Sequence, residues 1–220
     1  MRRLVSAGFG LALLATASGA AYARTCPNMT GADPRLGSVD GELRLGWIRQ
    51  RLDHTAHHAR IWAWGWGGFI ITSGVGSLAV APFVAPEHRV DWYTSAVSSA
   101  IGIMPFAIAP PAVIRDAREL GAQGSDVCVT LAGAELRLVH SADDQQQRLV
   151  WWYHVGNLAF NTGVTLFLGL GYGHWTAGLI NGISGLAIGE AIYFTQPTAT
   201  IEDLRTYRTG ALTLTYAGRF

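Results

Sequence analysis

The chain has 220 residues, half of them hydrophobic and only 14% charged, against about 25% charged in a soluble globular domain, which excludes an ordinary water-soluble fold. The net charge of +1 argues against nucleic acid as a partner, since such binding needs a basic surface. The charge is also unevenly placed. No Asp, Glu, Lys or Arg occurs between Arg60 and Glu87, between Asp91 and Arg115, or between Arg148 and Glu190, runs of 26, 23 and 41 residues. A helix needs about 20 apolar residues to cross the hydrocarbon core, so the runs have room for one, one and two crossings.

Residues 1–23 have the form of a signal peptide. Arg2 and Arg3 precede an apolar stretch from Leu4 to Ala17, and Ala21-Tyr22-Ala23 is a small-x-small cleavage site. Cleavage leaves Arg24 first and places the mature start outside the cytoplasm. The expected location is a membrane of the bacterial cell envelope, the inner membrane first and the outer membrane as the alternative. Cys26 and Cys128, the only cysteines, lie outside the apolar runs and are candidates for a disulfide in that oxidising compartment.

Residues 24–60 begin as a Gly-, Pro- and Asp-rich loop. Leu45, Ile48, Leu52 and Ala59 then recur at helical spacing and predict an amphipathic helix. A first membrane hairpin spans 61–114. Its first crossing opens on Trp62, Trp64 and Trp66, residues of the kind that sit at lipid headgroups, and its second carries Pro105, Pro110 and Pro111 in its last third. Residues 115–148 read as a polar linker followed by a helix from about 129. A second hairpin spans 149–195, and 196–220 is a polar tail.

The expected fold is therefore an all-α membrane protein of four crossings in two similar halves, each an amphipathic helix plus a hairpin. Glu42-Leu43-Arg44-Leu45 recurs as Glu135-Leu136-Arg137-Leu138, and Trp92 and Trp175 each open a returning crossing. An outer-membrane β-barrel is the alternative. Trp62, Trp64 and Trp66, Leu166, Leu168 and Leu170, and the tail's Leu212, Leu214, Tyr216 and Phe220 all alternate with small or polar neighbours, as barrel strands do. The arginines also sit awkwardly for an inner-membrane protein. With the mature start outside, all but one of the mature arginines lie outside, the exception being Arg89, contrary to the positive-inside rule.

Glycines four apart, as at Gly178 and Gly182 or Gly185 and Gly189, allow close helix approach in lipid. They serve a tight bundle or a homo-oligomer. His154, Asn157 and Asn161 share one face of the third crossing. Asn181 lies in the fourth, and Glu190 is the acidic residue inside a crossing. Polar groups at membrane depth face the bundle interior and are functional candidates. His54, His57 and His58 lie within one helical turn and form a weak candidate metal set. No G-x-S-x-G, H-E-x-x-H, C-x-x-C or Gly-rich phosphate loop is present, and the sequence implies no cofactor. Three readings follow. The first is a non-enzymatic structural or assembly protein in the bilayer. The second is a small transporter or channel with a polar path along the third crossing. The third is a membrane-embedded or metal-dependent enzyme.

Overall fold

The structure, a computed structural model, describes residues 24–28, 31, 33–121 and 126–210. Residues 1–23, expected to be a signal peptide, and the alternating tail from 211 lie outside them. The described residues are helical: α1 (Gly41–Val80), α2 (Arg89–Ile108), α3 (Ala112–Gly121), α4 (Val127–Arg148), α5 (Trp152–Tyr172), α6 (Trp175–Thr195) and α7 (Ala199–Arg208). Among the described residues only an isolated bridge, Thr25 to Asp40, has strand character. The barrel alternative is thereby corrected. The alternating tryptophans lie within α1 and the alternating leucines within α5, where every second residue steps 200° round a helix and does not share a face.

Three helical stretches, Gly41–Phe83, Pro86–Gly121 and Trp175–Arg208, are long and apolar enough to cross a membrane. The predicted amphipathic helix runs without a break into the first long apolar run. Both belong to α1, a single helix of 40 residues, about 60 Å at 1.5 Å per residue. Its first half packs with α3, α4 and α7, and its second half with α2. The molecule therefore has two media. Leu45, Ile48, Leu52, Val113, Leu120, Leu131, Leu138 and Leu204 form a closed hydrophobic core in a bundle of α1, α3, α4 and α7. Beyond Arg60 the pattern inverts. Ile71, Val75, Leu158, Leu170, Ile180 and Ile183 are exposed, an apolar outer surface suited to lipid.

Two boundaries differ from the sequence expectation. α2 ends at Ile108 instead of running to 114, because Pro110 and Pro111 cannot continue the hydrogen-bond ladder. Arg148 caps the freed carbonyls, donating from Nη2 to Ala109 O at 2.9 Å and Pro110 O at 3.3 Å. The polar stretches after each hairpin are also helices. α3 buries Val113, Asp116, Ala117 and Leu120, and α7 buries Thr200, Asp203, Leu204 and Tyr207, the same i, i+3, i+4, i+7 stripe.

Polar links hold the bundle. Arg44 and Glu135 form an ion pair with both side chains fully buried. Arg44 also donates to Tyr207 Oη at 3.0 Å and to Cys26 O at 2.9 Å, and Tyr207 donates to Glu135. Burial and the Glu135 carboxylate push the Tyr207 phenol well above its ordinary pKa. Cys26 is disulfide-bonded to Cys128, fastening the N-terminal strap to α4. Gly41 is required where the strap crosses α1, since a Cβ there would sit 2.6 Å from Cys26 Sγ. Asp40 caps α1, accepting from Glu42 N at 2.8 Å and Leu43 N at 3.2 Å. The N–H of Arg24, bonded to it at 2.8 Å, holds its carboxyl below the usual range.

Removing one partner of a buried ion pair strands the other charge, a loss of about 3–5 kcal/mol. Arg44→Met and Glu135→Leu are each expected to lower the melting temperature of the detergent-solubilised protein sharply by far-UV circular dichroism. The double substitution, which leaves no charge unpaired, is expected to lose less than either.

Candidate functional site

The site is built on the α5–α6 hairpin. His154, Asn157, Asn161 and Thr165 line one face of α5, at i, i+3, i+7 and i+11, and Gly178, Gly182, Gly185 and Gly189 line the facing side of α6. The two rows interlock. A Cβ on Gly182 would meet Thr165, one on Gly185 would meet Asn161, and one on Gly189 would meet Asn157. The glycines thus make room for polar side chains between two apolar helices, which is more than close packing alone requires.

Within that space the sequence candidates join into a chain. Asn161 donates through Nδ2 to Asn157 Oδ1 at 2.8 Å. Asn157 donates to Glu190 Oε1 at 3.0 Å and to Leu186 O at 3.1 Å. His154 Nδ1 lies 2.6 Å from Glu190 Oε2, with its ring against Tyr193 at a centroid distance of 4.2 Å. Thr165 extends the chain away from the bundle, donating to Gly178 O at 3.0 Å. Asn181 stands apart from this chain and is bonded by Ser95 of α2.

His154, Asn157, Asn161, Asn181, Glu190 and Tyr193 line a cavity of about 720 Å³ between the α1–α2 and α5–α6 hairpins. Ser73 and Ser77 of α1 and Ser95, Ser98 and Ser99 of α2 face it from one side, and His154, Asn157, Asn161, Asn181, Ser184 and Glu190 from the other. Arg148 and Gln196 stand at the bundle end, and Gln196 Nε2 is buried with no hydrogen-bond partner. The cavity therefore offers donors, acceptors and one carboxylate. In the sequence the serines are legible only as small packing residues. Their role as a wall depends on the separation of the hairpins, which no local pattern encodes.

His54, His57 and His58 do not converge as a three-ligand metal set. All three are exposed on α1, and the His54 and His58 rings are 4.4 Å apart. His54 instead lies near Asp203, whose carboxyl is raised by burial and partly restored by Arg51, 3.5 Å away, and by His54. Among the described residues, one group of three His, Asp, Glu or Cys side chains brings its ligand atoms within 4.8 Å of one another: His88, Asp91 and His174. By sequence these are ordinary turn residues. The available signal is a His-x-x-Asp in one hairpin turn and a lone His in the other.

The chain matches no family model, no curated protein and no solved structure.

The interlock makes a direct forecast. Gly185→Leu forces α5 and α6 apart and is expected to cost at least about 1–3 kcal/mol of overpacking strain, read as a lower melting temperature. Leu at Gly156, where a Cβ meets nothing within 4 Å, is expected to leave the melting temperature within a few degrees of wild type.

Proposed function

We propose that this protein is a small transporter or channel of a bacterial envelope membrane, with four crossings in two similar halves and a solute path between them. The observation that carries the reading is the cavity between the hairpins, a largely apolar space into which polar side chains of α1, α2, α5 and α6 reach. A purely structural bundle has no need of such a space, and polar side chains at membrane depth, costly to place there, are functional candidates by default. The carboxylate of Glu190 and the surrounding amide and hydroxyl oxygens favour a small cation or a neutral polar solute over an anion.

α5 serves as the fourth crossing in this reading. It has 21 residues and no Asp, Glu, Lys or Arg. Its polar residues face α6 and the cavity, while Leu158, Phe167 and Leu170 are exposed.

The two-halves reading has support in a register of about 86 residues. Asp40 caps α1 and Asp126 caps α4. Arg51-Leu52-Asp53-His54-Thr55-Ala56 is followed 86 residues later by Arg137-Leu138-Val139-His140-Ser141-Ala142. Arg137 lies 3.9 Å from Asp116 of α3, and Arg51 lies 3.5 Å from Asp203 of α7. The buried stripe of α3 recurs 87 residues later in α7. The Glu42/Glu135 register differs from this one by one heptad, two helical turns, which returns to the same helix face. Two crossings per half make a parallel repeat, and in such transporters the substrate site lies at the repeat interface, where the cavity is.

The orientation follows from the proposed leader and the Cys26–Cys128 bond, both of which favour a bundle outside the cytoplasm. The arginine imbalance is softened by pairing. Arg44, Arg51, Arg137 and Arg148 each have an acidic partner.

Reconstituted in proteoliposomes, the wild type is expected to pass small monovalent cations or small neutral solutes above the leak of empty vesicles. Glu190→Gln and Asn157→Ala are expected to cut that flux at least about tenfold, equivalent to 1.4 kcal/mol in a barrier, with the helical spectrum retained. Absence of any flux above leak for the folded wild type would return the protein to the structural reading.

A further inference from the structure

The end of the membrane domain far from the bundle carries its own chemistry. His88 sits on the short turn Pro86–His88 between α1 and α2, Asp91 lies in the first turn of α2, and His174 stands in the turn between α5 and α6. His174 Nδ1 lies 2.8 Å from Asp91 Oδ1, and His88 Nδ1 lies 3.5 Å from Asp91 Oδ2. One carboxylate thus presents one oxygen to each of two imidazoles from different hairpins.

From this geometry we infer that His88, Asp91 and His174 form a binding site for a divalent transition-metal ion of the zinc type, clamping the two hairpin turns together. Two imidazoles and one carboxylate are a ligand set for zinc with an open fourth position, and imidazole also suits copper, nickel and iron. Metal–ligand distances of about 2.0–2.1 Å place neighbouring donors about 3.3 Å apart round a tetrahedral ion. The observed separations of 2.8 and 3.5 Å, with every ligand atom within 4.8 Å, need only small side-chain adjustments to meet that value. An ion held there takes the place of the contact between His174 Nδ1 and Asp91 Oδ1.

The ligands are held by their backbones. Gly173 adopts φ 76° and ends α5 with paired bonds, from Gly173 N to Gly169 O at 3.0 Å and from His174 N to Leu168 O at 2.9 Å. That motif fixes where His174 leaves the helix. His88 N bonds Ala85 O at 2.9 Å. Arg89, the neighbouring cation, is directed away, towards the carbonyls of Val84 and Pro82. Asp91 and His174 are mostly buried, whereas the His88 side chain is 60% exposed, leaving a water-accessible approach. The inference stands apart from the transport reading. Only its consequence, that the ion closes the far end of the cleft, rests on that reading.

The test is titration of purified, detergent-solubilised full-length protein with zinc chloride by calorimetry, and with cobalt(II) by visible absorption. One ion per chain is expected, with the intense d–d bands of a tetrahedral cobalt site. Asp91→Asn, His88→Ala and His174→Ala are each expected to weaken binding by more than about tenfold, the least that loss of even an outer-shell partner costs. Substituting His54, His57 and His58 together by Ala is expected to leave affinity unchanged. Zinc should also raise the melting temperature of the wild type and not that of Asp91→Asn. If His174→Ala fails to fold, the exposed His88 and the isosteric Asp91→Asn still decide. The inference is overturned by absence of stoichiometric zinc binding, by affinity indifferent to Asp91 and His88, or by affinity lost with the three α1 histidines. None of these readouts uses flux, so a failed transport assay leaves the result standing.

Discussion

The continuity of α1 is the constraint on which the rest of the structure depends. A helix of 40 residues fixes the angle and rotation of its membrane half from its bundle half, because an uninterrupted ladder transmits both. Nothing between Arg60 and Trp66 breaks it. The bundle therefore acts as a jig for the membrane domain. Arg44 sets this rod against α4 and α7 through Glu135 and Tyr207, and against the N-terminal strap through Cys26 O. A guanidinium with no exposure tolerates no other arrangement, since each lost partner leaves a charge in a low-dielectric core. The disulfide then closes a span of 102 residues, which removes freedom from the unfolded chain more than it adds contacts to the folded one.

The division of labour between the two media explains how the chain uses its few charges. In the bundle, leucine and alanine stripes supply a driving force proportional to buried area, and ion pairs fix which helix lies beside which. Between helices in lipid that force is absent, so close approach must come from small residues and internal hydrogen bonds. The α5–α6 hairpin uses both, with glycines opposite Asn157, Asn161 and Thr165. The α1–α2 hairpin uses a milder version, with Gly74 lying where a Cβ would be 2.9 Å from Ser99 Cβ. Between the hairpins contacts are sparse, limited in polar terms to Ser95 with Asn181, Asp91 with His174, and Trp62 and Trp66 with Thr195. The cavity is a direct result of that sparseness.

Much of this is legible in the sequence for identifiable reasons. Charge-free runs mark apolar helices because charge in lipid is expensive, and the i, i+3, i+7 spacing of His154, Asn157 and Asn161 is enough by itself to place them on one helix face. Glu190 stands out as an acid in an apolar run, but its pairing with His154 and Asn157 depends on the register of the hairpin. α3 and α7 look like linker and tail. Their stripes are only two turns long, and Asp116 and Asp203 sit at core positions where a binary pattern expects apolar residues. Those aspartates are buried because Ser141 and His140 meet the first and Arg51 the second, partners far away in sequence. The His88, Asp91 and His174 cluster is invisible for the same reason, since each residue is ordinary within its own turn.

The proposed repeat bears on how the cleft would work. If the halves are related by an axis along the membrane normal, their likeness should be strongest where both must meet the same neighbours and weakest where one ligand is bound. The bundle follows that rule, with matched caps, matched Arg–Asp pairs and matched stripes. The cavity departs from it. The wall from α1 and α2 carries serines where the wall from α5 and α6 carries asparagines, a histidine and a glutamate. Symmetry at the scaffold and asymmetry at the lining is the arrangement expected when one wall supplies recognition and the other supplies serine hydroxyls among apolar side chains. The hydrogen-bond chain on α5 is satisfied among its own members, so a solute entering the cleft competes with protein partners of similar strength. In the proposed transport reading, binding on those terms would be weak and reversible, which suits passage better than retention.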